Sequence, residues 1–362
     1  MNARPHILFL SYSRPGGGPV SFLARGCNYL SRVADVTLID EVPAGITVRL
    51  EGAARTSVRV IEAPVWTASG AAARVVDAVI AEHPPDWIVV NNPGMFLKFF
   101  GVARRARRAH GTRLQMTLHS GMLTPTARRL LLELIASAVL PWADRVTCVS
   151  AYTRDHFQRR YPWSGARGFE VIHHGVALPE TAGRRSRAPL RVGFVGRLIG
   201  EKDPILFAQV ARESRREGRP FEFHVYGEGP MAKEMEAHAD GTLRFHGHPP
   251  SPEVIFAGLD VLMFTSPVEN CPNALLEGKS WGVPTVSAPV GGIPELIQHG
   301  VDGMLAADRG VRALLRALDG TRAAYEQLSA GCLSSRQRFS LESHASAMWK
   351  PILGTPARYR AS

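Results

Sequence analysis

The chain is 362 residues long, and at roughly 150 residues per domain that length suggests two domains. With 45% hydrophobic, 8% aromatic and 21% charged residues it has an ordinary globular composition, which excludes disorder as its main state. The formal charge of +11 sits mainly in the front half: residues 1 to 180 hold 21 Lys and Arg against 13 Asp and Glu, residues 181 to 362 hold 22 against 19. Such a field suits nucleic acid, an anionic membrane surface or phosphorylated small molecules, although no nucleic-acid-binding pattern accompanies it.

No stretch reaches the roughly 18 apolar residues of a spanning helix, and the opening MNARPHILFLSYS reads as a strand rather than a secretion signal. A cytoplasmic location is expected. Cys27, Cys148, Cys271 and Cys332 lie far apart without metal-ligand spacing, so they are read as reduced thiols and no metal site is expected.

Short apolar runs alternate with longer amphipathic ones throughout, the pattern of βαβ units and parallel sheets. In the first half the predicted strands are His6 to Ser11, Val33 to Ile39, Val58 to Ile61, Trp87 to Asn91, Arg113 to Leu118, Arg145 to Val149 and Glu170 to His173. Gly16, Gly17 and Gly18 follow the first strand and precede Pro19, which permits close backbone approach of a ligand to a helix start; a plain tight turn explains them equally. Residues 94 to 113 place Met95, Phe99, Val102, Ala106 and Ala109 at helical spacing among Lys98, Arg104, Arg105, Arg107 and Arg108. Residues 95 to 108 therefore read either as a crossover helix with a solvated basic face or as a helix lying on anionic lipid.

Residues 176 to 189 lack periodicity and read as a linker. A second alternation follows with Leu190 to Val195, Phe221 to Tyr226, Leu243 to Phe245, Val261 to Phe264, Thr285 to Ser287 and Met304 to Ala306. Two doubly wound domains are expected, over residues 1 to 178 and 190 to 334, with residues 335 to 362 carrying a closing helix back to the first.

In the second domain a buried strand runs into Gly196, so Arg197 and Lys202 project where ligands of open α/β sheets bind, and both can neutralise phosphate. After Phe264 an irregular loop carries Glu269, and Pro272-Asn273 opens a helix through Glu277 that must stop by Gly282-Val283-Pro284. Its N-terminus would hold a diphosphate, and the two carboxylates would each chelate a diol. The bland alternative pairs Glu277 with Lys279 or Arg197 and leaves Glu269 in solvent.

Glu269 and Glu277, followed by Gly282-Val283-Pro284 and Gly291-Gly292-Ile293-Pro294-Glu295, resemble the E-x7-E signature of the retaining glycosyltransferases of family four, which have the GT-B fold. Gly196-Arg197-Leu198, Lys202-Asp203-Pro204, Tyr226-Gly227-Glu228-Gly229-Pro230 and Phe245-His246-Gly247 are similar to the same family's other landmarks, in the same order. The first domain carries the resemblance more weakly, through its Gly-rich loop, Thr117-Leu118-His119 and the Val149-Ser150 strand end.

The resemblance implies an α/β fold of two Rossmann-like domains facing a central cleft. It implies a nucleoside-diphosphate-sugar donor as co-substrate, a hydroxyl acceptor, and neither cofactor nor metal. Arg197 and Lys202 would neutralise the diphosphate, Glu277 would hold the ribose and Glu269 the transferred sugar. Backbone from Asn270 through Cys271, Pro272, Asn273 and Ala274 to Leu275 would bind phosphate and sugar; Gly196, Gly227 and His246 would border the nucleotide. His119 matches the family's cleft histidine. The chain departs from the family at Gly278-Lys279, where Ala and Met are commoner, and at Asn270-Cys271-Pro272, which replaces a glycine-rich stretch. A sugar-nucleotide epimerase of the same fold and a catalytically silent sugar-nucleotide binder are the alternatives.

Overall fold

The computed structural model describes residues 4–12, 18–65, 67, 69–91, 93–119, 134–135, 137–165, 168–180, 188–248 and 251–354. The chain divides into two units, one running to His173 and resuming at His344, the other His174–Ser343.

The first unit is a seven-stranded sheet in the order β3-β2-β1-β4-β5-β6-β7. Its strands are β1 (His6–Ser11), β2 (Asp35–Asp40), β3 (Val58–Glu62), β4 (Trp87–Val90), β5 (Arg113–Leu118), β6 (Arg145–Cys148) and β7 (Glu170–Val171). All pairings are parallel, so helices cover both faces and the central strands are buried on both sides. Alternation along β1 shows this directly: Leu8 and Leu10 enter one core with Phe96 and Phe99, while Ile7 and Phe9 enter the other with Met348 and Trp349. The second strand starts two residues later than the sequence suggests, because Val33 closes the preceding turn by donating its N–H to Leu30 O (2.9 Å) and stays exposed.

Helix Pro93–His110 settles which alternative holds for residues 95 to 108. Met95, Phe96, Phe99, Val102 and Ala106 are all buried against the sheet, so the apolar stripe is core and not a lipid-facing surface; Ala109, assigned to that stripe, is exposed. The closing helix, Leu341–Leu353, starts later than the expected stretch from residue 335, because helix Tyr325–Ser335 and a 3₁₀ turn over Arg336–Phe339 intervene. Its Ala345, Met348, Trp349 and Ile352 complete the second core of the first unit.

The second unit is a six-stranded parallel sheet in the order β10-β9-β8-β11-β12-β13. Its strands are β8 (Leu190–Val195), β9 (Phe221–Tyr226), β10 (Leu243–Phe245), β11 (Val261–Phe264), β12 (Thr285–Ser287) and β13 (Gly303–Leu305). Helices Pro204–Arg216 and Val311–Ala323 bury Phe207, Val210, Leu314 and Leu318 on one face.

Candidate active site

The carboxyl ends of β8 and β11 bring Lys202 and Glu269 together. Lys202 Nζ lies 2.6 Å from Glu269 Oε1, which also accepts from Ser266 Oγ at 2.7 Å; the Glu269 side chain is only 7% exposed. A carboxylate this buried is stable when its oxygens are paired, and here one oxygen receives both donors. The backbone is held as tightly. Gly292 N–H donates to Glu269 O (2.7 Å), and a Cβ on Gly291, whose φ is +56°, would stand 2.0 Å from that oxygen, so only glycine fits. Lys202 and Glu269, expected to face diphosphate and sugar separately, form one ion pair.

The turn carrying Lys202 is fixed from behind. Thr265 Oγ1 donates to the carbonyls of Lys202 (3.1 Å) and Asp203 (2.9 Å), while Arg309 donates to Thr265 O (3.0 Å) and pairs with Asp203. Asp203, at φ +46°, caps helix Pro204–Arg216 by accepting from Leu206 N–H (3.3 Å). Arg309 lies outside every motif of the sequence, and Asp203 and Ser266 lie within motif stretches that gave them no role of their own. Arg197 stays largely exposed, 3.9 Å from Glu201.

Helix Asn273–Ser280 starts at Pro272 without a side-chain cap, and the first N–H groups of a helix have no partner in a preceding turn. Leu275 N–H turns back to Pro272 O (3.1 Å). Cys271 and Leu275 are buried, which limits any ligand contact of theirs to the backbone. Cys271 Sγ accepts from His174 N–H (3.3 Å), and His174 Nδ1 lies 2.9 Å from Asn273 Oδ1, so His174 braces the loop from both sides. No motif in the sequence singled it out.

Glu277 lies one turn into this helix, half-buried. The bland pairing with Lys279 does not account for it, because Lys279 is buried and committed elsewhere, to Asp302 Oδ2 at 2.7 Å and Leu296 O at 2.5 Å. Gly278, the other half of that departure from the family, has a packing role: a Cβ there would meet Phe256 at 3.2 Å and Leu262 at 3.3 Å, so the small residue lets the helix sit close to its neighbours.

The ends of β8, β9 and β10 stack loop on loop. A Cβ on Gly227 would stand 1.9 Å from Gly196 O, and Gly227 N–H donates to Gly247 O (2.6 Å). Beside them His246 stacks on Tyr226 (4.4 Å between centroids) and His224 (5.1 Å), with 2.9 Å between His246 Nε2 and His224 Nδ1. Burial first, then the other positive groups nearby, holds both histidines below their ordinary pKa.

In the first unit His119 follows β5, edge-on to Phe22 at 4.9 Å, with His344 also edge-on to that ring at 5.8 Å. Burial, and secondarily His344, pushes the His119 pKa down to about 4, so its imidazole is neutral at physiological pH. Gly18 opens helix Gly18–Leu30; Gly16 and Gly17 lie outside the described residues.

Residues 16–179 match the family model described as Glycosyltransferase Family 4, and residues 189–321 match Glycosyl transferases group 1. A similar curated protein is the amylovoran biosynthesis glycosyltransferase AmsK of Erwinia amylovora, 32% identical over 35% of this chain and 34% of that protein. Another is the 2-deoxystreptamine glucosyltransferase of Streptomyces kanamyceticus, 33% identical over 39% of each chain. The alignments thus span between a third and two-fifths of these relatives' lengths. Among solved structures, Anabaena Alr3699/HepE in complex with UDP superposes with a TM-score of 0.79 at 18% identity, covering 97% of this chain and 100% of that one.

Proposed function

The chain carries a glycosyltransferase family 4 domain and a glycosyl transferases group 1 domain on a GT-B fold, and from that premise we propose that it moves a sugar from a nucleoside-diphosphate sugar to a hydroxyl acceptor with retention. The observation that carries this is the Lys202–Glu269 pair beside the uncapped start of helix Asn273–Ser280. On donor binding Lys202 and Arg197, with the helix dipole, take the diphosphate, and Glu269 turns its oxygens to the sugar hydroxyls. Glu277 holds the ribose diol and His246 borders the base.

In the transfer the bond between the anomeric carbon and the diphosphate oxygen breaks as the acceptor oxygen bonds to that carbon on the same face. The acceptor's proton passes to the leaving diphosphate. Neutral His119 offers a hydrogen bond near the sugar and carries no charge. These cations and dipoles stabilise the leaving group without a metal ion, so activity is expected to persist in EDTA. The names of these two relatives describe transferases, which favours neither an epimerase nor a silent binder.

HepE was solved with UDP and with UDP-glucose, so UDP is the first nucleotide to try. Calorimetric titration with UDP, GDP, ADP and dTDP, then UDP-glucose turnover with 2-deoxystreptamine, methyl α-glucoside and a short polyprenyl-diphosphate glucose, tests the assignment. Binding of one nucleotide supports it; binding of none removes it.

Among the described residues no helix is long and apolar enough to cross a membrane. We place a peripheral contact with an anionic membrane on the first unit, where Trp142 and Trp163 are 46% and 50% exposed on adjacent 3₁₀ turns and Arg104 lies over the Trp142 ring at 5.6 Å.

A further inference from the structure

Asn91 is buried to 4% exposure, and neither its amide nitrogen nor its carbonyl oxygen has a hydrogen-bond partner. Burying an amide this way is unfavourable, and groups left so in folded proteins are few. Its place in the fold gives the orphan a meaning. Asn91 directly follows β4, one step beyond the register pairs Leu10–Val90 and Val90–Met116. From β1 the chain goes to β2 on one side and later returns to β4 on the other, so the carboxyl ends of β1 and β4 form the switch point of this sheet, where open α/β folds bind ligands. Helix Pro93–His110 starts two residues on, with no acidic residue in its first turn. The buried side chain one step along β5, Thr117, is already engaged by the Thr147 hydroxyl (3.0 Å).

We propose that Asn91 recognises the acceptor: its carboxamide binds a hydroxyl or amide of the acceptor that donates one hydrogen bond and accepts another. The fold leaves both halves of the carboxamide unpaired, and a ligand group with both functions satisfies them together. An acceptor presenting only hydrocarbon at this point leaves the amide unpaired and is rejected on that ground. This inference rests on the glycosyl-transfer assignment above.

The test uses Asn91→Leu, close in volume and without polar atoms, and Asn91→Ala. Thermal unfolding without ligand is read first. An amide kept for a ligand gives an Asn91→Leu variant that melts at or above the wild type, whereas an amide that supports the fold gives one that melts several degrees lower and overturns the proposal. UDP affinity, by calorimetry, is expected to stay within about twofold, and UDP-glucose hydrolysis to water is expected to persist. Transfer to whichever of the three acceptors named above the wild type uses should fall about tenfold or more in kcat/KM for the acceptor. Unchanged transfer overturns the proposal as surely as a lowered melt does. If the wild type neither binds UDP nor turns over any donor, the transferase assignment fails instead, and the melt still reports whether the amide serves the fold.

Discussion

The ammonium of Lys202 and the carboxylate of Glu269 meet at 2.6 Å across 67 residues of sequence, and each keeps the other from being an isolated charge in a largely buried position. Breaking such a pair costs more than removing it whole. Lys202→Ala is therefore expected to lower stability by about 1 to 3 kcal/mol, because it leaves Glu269 buried without its cation. Lys202→Ala with Glu269→Ala should recover part of that loss. Urea unfolding of the two singles and the double gives the coupling; additive losses would show that the pair does not hold the loop. In turnover Lys202→Ala should lower kcat more than donor affinity, since charge on the diphosphate grows as the glycosidic bond breaks.

The two carboxylates are expected to separate in their effects. If Glu277 holds the ribose as proposed, Glu277→Ala is expected to remove a charge-assisted hydrogen bond worth about 1.5 to 3 kcal/mol, or roughly 10- to 150-fold in UDP affinity. Glu269→Ala should bind UDP nearly as the wild type does and lose turnover of the sugar donor. Calorimetry decides: equal loss of UDP affinity in both variants would mean that the roles are misassigned.

The fold class was legible because both sheets are parallel and buried, so their strands stand out as short apolar runs between longer amphipathic ones. The apolar stripe of Pro93–His110 was legible as a stripe, yet periodicity alone does not say whether such a face meets a sheet or a lipid; burial of Phe96 and Phe99 decides it. In the candidate site, Glu269 and Glu277 stood out by their spacing on a local loop and helix. Arg309 and His174 did not, for they act through Asp203 and Asn273, 106 and 99 residues away, and no local pattern encodes a contact made by packing. Asn91 was included only as the end of a strand, since an unmet hydrogen bond has no sequence signature.

The two histidines beside Phe22 predict a pH dependence of stability. Both pKa values are pushed from 6.5 down to about 4, mainly by burial, so the unfolded chain binds protons that the folded chain refuses. Their contribution is present above pH 6.5 and is lost as the pH falls through 6.5 towards 4. At roughly 1.4 kcal/mol per pKa unit, each is worth on the order of 3 kcal/mol across that window. His344 Nδ1 lies 2.8 Å from His173 O, a contact that an asparagine can keep. Melting temperature of His344→Asn should fall less steeply than the wild type's between pH 6.5 and 4; parallel curves would show that His344 titrates normally.

Arg145 repairs a defect that Pro351 creates. Proline has no N–H, so within helix Leu341–Leu353 the carbonyl of Ala347 loses its bond from residue 351. Arg145, buried on β6, donates to that carbonyl at 2.8 Å and to that of Met348, while pairing with Glu170 at 2.6 Å. Arg145→Met is expected to cost about 2 to 4 kcal/mol. Adding Pro351→Ala should return about 1 kcal/mol or more, because the new N–H serves Ala347 from within the helix. Unfolding of the single and double variants checks this, and no recovery in the double would show that Arg145 acts through Glu170 alone.

The final expectation concerns the surface of the first unit. Arg105 and Arg107 are engaged by Asp77 and Asp144, which moves the weight of any lipid contact to Arg104 over the Trp142 ring, to the exposed Arg108, and to Arg159, whose side chain is 85% exposed although it lies 3.9 Å from Asp155. Each arginine at an anionic surface contributes about 1 kcal/mol, so three give about 3 kcal/mol, enough for reversible attachment and too little for permanent anchoring. The indole rings of Trp142 and Trp163 add apolar contact at headgroup depth, and Leu134 and Ile135, also exposed nearby in sequence, offer only hydrocarbon, which suits an acyl boundary and not a nucleic acid. The protein is expected to sediment with phosphatidylglycerol vesicles and not with phosphatidylcholine, and to be released as salt rises and the Debye length shrinks below about 10 Å. Arg108→Ser with Arg159→Ser should cut sedimentation, and Trp163→Ala should weaken it without changing its salt dependence. If the wild type ignores phosphatidylglycerol even at low salt, the basic half acts instead to steer an anionic donor, and raised salt should then slow donor association while leaving kcat in place.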